Sequence, residues 1–357
     1  MRTLPLVFYF LICQLSVQSQ NTPVPGIPRV EESSSAFTEE GIENMMSMIN
    51  EWEPADFRGV VIIKDGKLEV EEYYNTYWRE TVNDIRSAGK SITGLLVGIA
   101  VDQGLIKDVE ASVFDFFPEE KYNYTITDAH RAIKVKHILT MSAGLDTYAD
   151  DPDSYGAEGN WYGEDDWLSY ILKTPVKIAP EEKWVYTDVC AQLAGCLVEE
   201  TSGMSLKEFA DKHLFGPLGF KDYYWFHDQK GRTAAAGNLY IRAIDFAKLG
   251  LLVSNKGKWG EQQIISYEWI EKMLTSYINI GGGPHPTGYG YFWYREEFTL
   301  GGKTAPYMYA SGNGGNYVYV IPDVSLVICV TSTAYGRGYG HRRANDILLA
   351  TLRALKK

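Results

Sequence analysis

Residues 84–104 read DIRSAGKSITGLLVGIAVDQG. Ser87 stands three residues ahead of Lys90, and Ile92, Leu95, Leu96, Val97, Ile99 and Val101 follow at positions that cover most of a helix's circumference. That spread predicts a helix buried all round rather than an amphipathic surface helix. Ser87 and Lys90 then lie one turn apart on the same side, so their side chains can meet. Burial disfavours a charged lysine, and a neutral amine beside a hydroxyl can take its proton. The helix N-terminus adds N–H groups able to hold an oxyanion. A plainer reading makes Ser87 an N-cap and Lys90 a snorkelling side chain. Ser-x-x-Lys occurs once in this chain, and about one is expected by chance at this length, so the motif alone does not decide.

Outward from this run, EEGIENMMSMINEW (39–52) has apolar residues at helical spacing, and FRGVVIIKDGKLEVEEYY (57–74) has two β-rich runs around Asp65-Gly66, a helix followed by a hairpin. From Lys107 to about Ile244 the signals are mostly helical with long loops, as in AQLAGCLVEETSG (191–203), stopped by Gly203, and SLKEFADKHLF (205–215). Strands return in GYGYFWYREEF (288–298) and NYVYVIPDVSLVICVTS (316–332), and RRANDILLATLRALKK (342–357) closes the chain as a helix. Strands drawn from both ends predict an α+β domain over 37–357: an antiparallel sheet flanked by helices (37–106 and 245–357) with an inserted helical lobe (107–244). The cleft between lobes is the expected ligand site.

Two further stretches carry chemistry. EEKWVYTDVCAQLAGCLVEETSG (181–203) sets Tyr186 just before an apolar helix, where a phenol can relay protons or simply pack a loop. YMYASGNGGNYVYVIPDVSLVICV (307–330) holds a small-residue loop entering a strand, either a close backbone approach to a ligand or an ordinary β-bulge.

In order and spacing these three stretches resemble the serine β-lactamase and penicillin-binding-protein superfamily, most closely its class C β-lactamase-related branch of esterases, peptidases and nylon-oligomer-type amide hydrolases. Ser87-Ala88-Gly89-Lys90 is similar to that family's Ser-x-x-Lys, Tyr186-Thr187-Asp188 to its Tyr-x-Asn, and Asn313-Gly314-Gly315 to its Lys/His-x-Gly. VKHILTMSAGL, LFGPLGF and the last hairpin add to the likeness, which covers about Glu39 to Leu355. The resemblance implies a β-lactamase/transpeptidase-like fold and acyl transfer through an acyl-serine. Ser87, Lys90 and Tyr186 are then the catalytic residues, with Asp188, Asn313, Gly315 and Asn316 at the substrate or the oxyanion. A small-molecule or short-oligomer substrate is implied, and no cofactor or metal ion.

Three departures bear on this. Asp188 stands where the family has Asn, and its carboxylate would favour a charged Lys90, unless the two share a proton or Tyr186 is the base. Asn313 stands where β-lactamases and DD-peptidases carry Lys or His, so the cation that grips a substrate carboxylate is missing there. The class A Ser-Asp-Asn and Lys-Thr-Gly signatures are absent. A serine hydrolase acting on an ester or amide is the leading expectation. A catalytically silent ligand-binding protein on the same fold, or a DD-peptidase or β-lactamase, is the alternative.

DTYADDPDSYGAEGNWYGEDDW (146–167) gathers Asp146, Asp150, Asp151, Asp153, Glu158, Glu164, Asp165 and Asp166, either a solvated acidic loop or a rim that attracts an amine-bearing substrate. A calcium loop fits poorly, because Tyr155 and Tyr162 stand at ligand positions. Gly-x-Ser-x-Gly is absent, and His137 and His341 lie in no hydrolase-triad setting.

The whole chain bounds these readings. It has 357 residues, 45% apolar and 13% aromatic, enough for a large core and against disorder. Residues 1–19 have Arg2 ahead of the apolar run Leu4–Leu15, a secretory signal cleaved near Ser19. A lipid anchor at Cys13 is disfavoured by Phe10-Leu11-Ile12. Residues 20–36, rich in Pro and Ser, read as a flexible leader. Cleavage removes one Arg and no acid, taking the formal charge from −12 to −13, which argues against nucleic acid or anionic membranes as partners. No later run is long enough to span a membrane. Cys190, Cys196 and Cys329 read as buried small hydrophobes, and the mature chain is expected to be secreted or periplasmic.

Overall fold

In a computed structural model of the chain, residues 22–148, 151–280, 287–300 and 302–356 are described. The signal-peptide reading of 1–19, Cys13 and Asp150 lie outside the described residues.

The run VVII at 60–63 is buried at every position, because the strand it forms is covered on both faces. Strand β1 (Phe57–Lys64) turns through Asp65 and Gly66, both at positive φ, into β2 (Lys67–Tyr73). The later strands are β3 (Val82–Asp84), β4 (Tyr224–Trp225), β5 (Leu239–Arg242), β6 (Ile278–Ile280), β7 (Thr287–Gly290), β8 (Trp293–Leu300), β9 (Lys303–Gly312), β10 (Asn316–Ile321) and β11 (Leu326–Ser332). The main sheet runs β2-β1-β11-β10-β9-β8-β7-β6, antiparallel throughout. Its two chain ends meet where β1 pairs β11, Val61 opposite Cys329.

Alternation along these strands divides the core. Val60, Ile62, Tyr319, Ile321, Ile328 and Val330 face helices α1 (Glu39–Asn50) and α5 (Gly338–Ala354) through Met45, Ile49, Ile347 and Leu348. Val61, Ile63, Val318, Val320, Val327 and Cys329 join the larger cluster on the other face, with α4 (Ala243–Ser254) against the sheet. Gly250 lets α4 approach, since a Cβ there would lie 2.6 Å from Val327.

The run that opens the chain's chemistry is helix α2 (Gly89–Asp102), buried continuously from Gly89 to Ala100. It packs against α3 (Asp188–Ser202), which ends at Gly203 with φ +70. At Gly98 a Cβ would stand 2.2 Å from the Trp269 ring, and the Trp269 indole N–H donates to the Gly94 carbonyl at 3.1 Å.

Two expectations are corrected. The stretch read as a helical lobe, mostly helical with long loops, also contains β4 and β5, which with β3 form a second, three-stranded sheet. These strands of two to four residues are too short to show a period. The flexible-leader reading also fails from Thr22 onward. Val24 and Ile27 are buried, the Val30 N–H donates to the Leu68 carbonyl, and Arg29 pairs with Glu71 at 2.8 Å. A Pro-rich strip thus caps the edge strand β2, whose backbone groups would otherwise stand open. Among the described residues, no helix is long and apolar enough to cross a membrane.

Gly98→Ala tests the close packing of α2. Alanine gains about 1 kcal/mol of helix propensity, but overlap with a hydrogen-bonded indole costs more. The expected net loss is about 1–2 kcal/mol in denaturant unfolding, while Gly159→Ala, with open space around it, stays within about 0.5 kcal/mol of wild type. A Gly98→Ala protein as stable as wild type would contradict this packing.

Candidate active site

The turn before α2 is gripped by backbone on two sides. Arg86 has φ +52, a left-handed conformation uncommon in non-glycine residues. A Cβ on Gly312 would stand 1.9 Å from the Ile85 carbonyl oxygen, and one on Gly237 3.0 Å from that of Arg86. Strand β9 and the 234–238 loop therefore clamp the turn, and the Ile85 N–H donates to the Leu239 carbonyl at 3.0 Å. Only glycines permit these approaches.

Ser87 caps nothing: α2 starts without a side-chain cap, and Ser87 Oγ instead accepts a hydrogen bond from Lys90 Nζ at 3.0 Å. Nor does Lys90 snorkel, since its side chain is 2% exposed. Its ammonium has three donors and three acceptors at hand: Ser87 Oγ, the Ala236 carbonyl at 2.8 Å and Asp188 Oδ1 at 2.6 Å. Burial pulls the lysine pKa down, but the Asp188 carboxylate, followed by Tyr186, outweighs it and holds the ammonium above its ordinary value. Of the alternatives the sequence leaves open, the close ion pair favours a charged Lys90. Lys90 rests charged, 5.0 Å from the centroid of the Tyr186 ring.

Asp188 sits at the first position of α3, behind Thr187, whose hydroxyl accepts from the Val189 N–H at 3.1 Å. A carboxylate is favoured there by the helix dipole. The Tyr162 hydroxyl reaches its other oxygen at 3.4 Å.

Ser87, Tyr186, Asp188 and Asn313 line one cavity of about 150 Å³, with Arg86, Gly156, Glu158, Tyr162, Thr187, Ala236, Gly237 and Asn238. Of the acidic loop's carboxylates, Glu158 alone among the described residues lines this cavity. Asp146 is an anchor, accepting from Ser154 Oγ at 2.8 Å, and Asp166 caps a short helix at Ser169. Burial raises the Glu158 pKa, and Asp188 raises it further. Among the described residues, no three or more His, Cys, Asp or Glu are grouped to hold a metal ion.

The strand motif divides. Asn313 lines the cavity, with its side-chain oxygen accepting from the Gly336 N–H at 2.8 Å. Gly315 and Asn316, expected at the substrate or oxyanion, do not line it. A Cβ on Gly315 would meet the Gly340 carbonyl at 2.4 Å. Asn316 is fully buried, its oxygen accepting from Asn83 and the Ser332 N–H and its NH₂ donating to the Asn313 carbonyl. It ties strands together as the first residue of β10, while Asn313 stays in the turn at the cavity.

Sequence reading missed Arg86 and the Ala236-Gly237-Asn238 wall. A signal for the wall was present in TAAAGN (233–238), a small-residue run entering a strand as SGNGG does.

A family model described as Beta-lactamase matches residues 52–352. The chain is 24% identical over 286 residues to the N-acetylmuramyl-L-alanine amidase of Bacillus subtilis, covering 70% of this chain and 64% of that protein. Its fold is similar to that of a proposed 6-aminohexanoate-dimer hydrolase from Bacillus anthracis, with TM-score 0.74, 16% identity and coverage of 96% of this chain and 94% of that one. It is also similar to a class C β-lactamase, with TM-score 0.68, 13% identity and coverage of 89% and 96%. At these identities the two structures speak for the fold alone.

The ion pair predicts a pH signature. In Asp188→Asn the burial effect on Lys90 is no longer opposed by a carboxylate, so its pKa falls and the neutral amine appears at lower pH. The limb of the Ser87 labelling rate with a fluorophosphonate that reports Lys90 should move down by about one to three pH units. An unmoved profile would mean that Asp188 does not hold the ammonium.

Proposed function

The chain belongs to the beta-lactamase family, and from that premise we propose that it is a serine hydrolase cleaving an ester or amide through an acyl-serine at Ser87. The observation that carries this reading is the 3.0 Å contact of Ser87 Oγ with Lys90 Nζ at the wall of a cavity. A charged lysine with every donor engaged cannot itself take the serine proton. The 2.6 Å pair with Asp188 supports a relay instead: as Ser87 Oγ bonds to the carbonyl carbon, its proton passes to Lys90 while Lys90 hands one to Asp188. The two groups act as one titrating unit.

Of the residues lining the cavity, Ser87 and Asn313 are the ones whose backbone N–H groups we assign to the oxyanion. Tyr186 gives its proton to the leaving oxygen or nitrogen as that bond breaks, then takes one from the water that attacks the acyl carbon. When the acyl group leaves, Ser87 Oγ recovers its proton from Lys90 and Lys90 from Asp188. Neutral Asn313, in the turn after β9, leaves no cation at the motif position where β-lactamases carry one, which supports a preference for esters and amides over β-lactams. The apolar run after Arg2 supports export, with cleavage near Ser19.

A fluorophosphonate should label Ser87, and Ser87→Ala should lose the label together with about a thousandfold or more of the hydrolysis rate. In a panel of para-nitrophenyl esters, amino-terminal amide oligomers and nitrocefin, nitrocefin should be the poorest substrate. A folded protein that resists labelling, or one that turns over nitrocefin fastest, would refute the respective half of this reading. For export, N-terminal sequencing of the mature chain should begin close after Ser19, and retention of Met1 would count against it.

A further inference from the structure

We infer that Arg86 is the residue that selects the substrate, by gripping a carboxylate carried on the ester or amide from the nucleophile's side of the cavity. The inference deepens the acyl-serine reading and rests on it. Arg86 is the only cation among the described residues lining the cavity, since Lys90 is spent on Ser87, Ala236 and Asp188. It immediately precedes Ser87, so whatever it holds lies next to the reacting carbonyl.

The guanidinium is held on two sides. Its Nε edge lies against the buried Asp84 carboxylate at 3.0 Å, and its face stacks on the Tyr335 ring at 4.4 Å. Tyr335 is itself fixed, donating its hydroxyl proton to the Asp84 carbonyl at 2.9 Å. Gly314 leaves room for the ring, since a Cβ there would lie 2.7 Å from it. Asn313 holds the neighbouring Gly336 N–H. The strand position where relatives carry a cation thus supports the platform under a cation placed elsewhere. No described residue hydrogen-bonds the terminal Nη groups, and the side chain is 40% exposed.

A guanidinium stacked on a ring and ion-paired along its Nε edge presents its two terminal nitrogens as a fork, the geometry that suits a carboxylate. Glu158 on the same cavity makes no ion pair with Arg86, although Arg86 and Lys90 both attract its carboxylate, and that carboxylate disfavours an anion placed beside it. Attraction to Arg86 and repulsion from Glu158 together give specificity.

The test compares para-nitrophenyl monoesters of adipic and suberic acid with the same esters bearing a terminal carboxamide. Wild type should favour at least one carboxylate by roughly tenfold to a hundredfold in kcat/KM, and the difference should sit mainly in KM. Arg86→Gln should bring the ratio to within about twofold of one, and Arg86→Lys should keep only part of it. Tyr335→Leu, which frees the guanidinium from its stack, should lower the ratio as well and decides the matter if Arg86→Gln does not fold. A wild-type ratio near one, or a ratio unchanged in the variants, overturns the inference. Fluorophosphonate labelling of wild-type Ser87 separates the two claims: a labelled protein without the preference keeps the acyl-serine reading and loses this one, and an unlabelled protein loses both.

Discussion

An ammonium sealed in a protein interior needs an acceptor for each of its three protons, and Lys90 draws them from three segments distant in sequence. The Ser87 turn, the loop at Ala236 and the first residue of α3 all converge on one nitrogen. Removing one partner of a buried ion pair costs about 3–5 kcal/mol, with the lower end apt here because Asp188 is 17% exposed. The arrangement of α2 against α3 and the placement of the reactive hydroxyl are therefore one problem with one solution. The charge that orients the nucleophile also requires the helices that carry it to stay together.

Much of this was legible where the sequence has a strong period. The all-round apolar run of α2, the β1 and β11 strands and the helix after Tyr186 follow from residue spacing alone. So did the meeting of Ser87 with Lys90, because two residues three apart on a helix have little choice. Legibility ended where backbone contacts decide the outcome. Gly237 and Gly312 shape the nucleophile turn by what they lack, and nothing in their neighbours' identities announces which carbonyl will press against them. The ordered strip from Thr22 was illegible for a related reason: its proline content describes the free chain, while the open edge of β2 decides its fate.

Asn316 and Asp188 show the limit from the other direction. Asn313, Gly315 and Asn316 are neighbours in sequence and looked equally suited to a ligand. The turn between β9 and β10 holds Asn313 at the cavity, whereas Asn316 is already the first residue of β10 and is bonded to β11. For Asp188 the residue type was read correctly as a challenge to a neutral lysine, but its strength depends on distance. At 2.6 Å the carboxylate overrides the desolvation that would otherwise have made Lys90 a free base.

The charges around the cavity then sort themselves by whether each has an internal partner. Lys90 is matched by Asp188, and Arg86 leans on Asp84 with one edge only. Glu158 has no ion-pair partner among the described residues, and its raised pKa reflects the burial and the second carboxylate it faces. Asp146, Asp151 and Asp166 of the acidic loop are taken up in its own turns and caps, and Glu158 alone of its described carboxylates lines the cavity, so the net charge of −12 says little about the cavity itself. What a substrate meets is a small space with both signs of charge: guanidinium donors on the residue before the nucleophile, and a carboxylate that Arg86 and Lys90 offset only in part. A neutral acyl group is indifferent to that pattern, whereas a charged one is turned by it, so the sign and position of a substrate's charge bear on whether its carbonyl reaches Ser87.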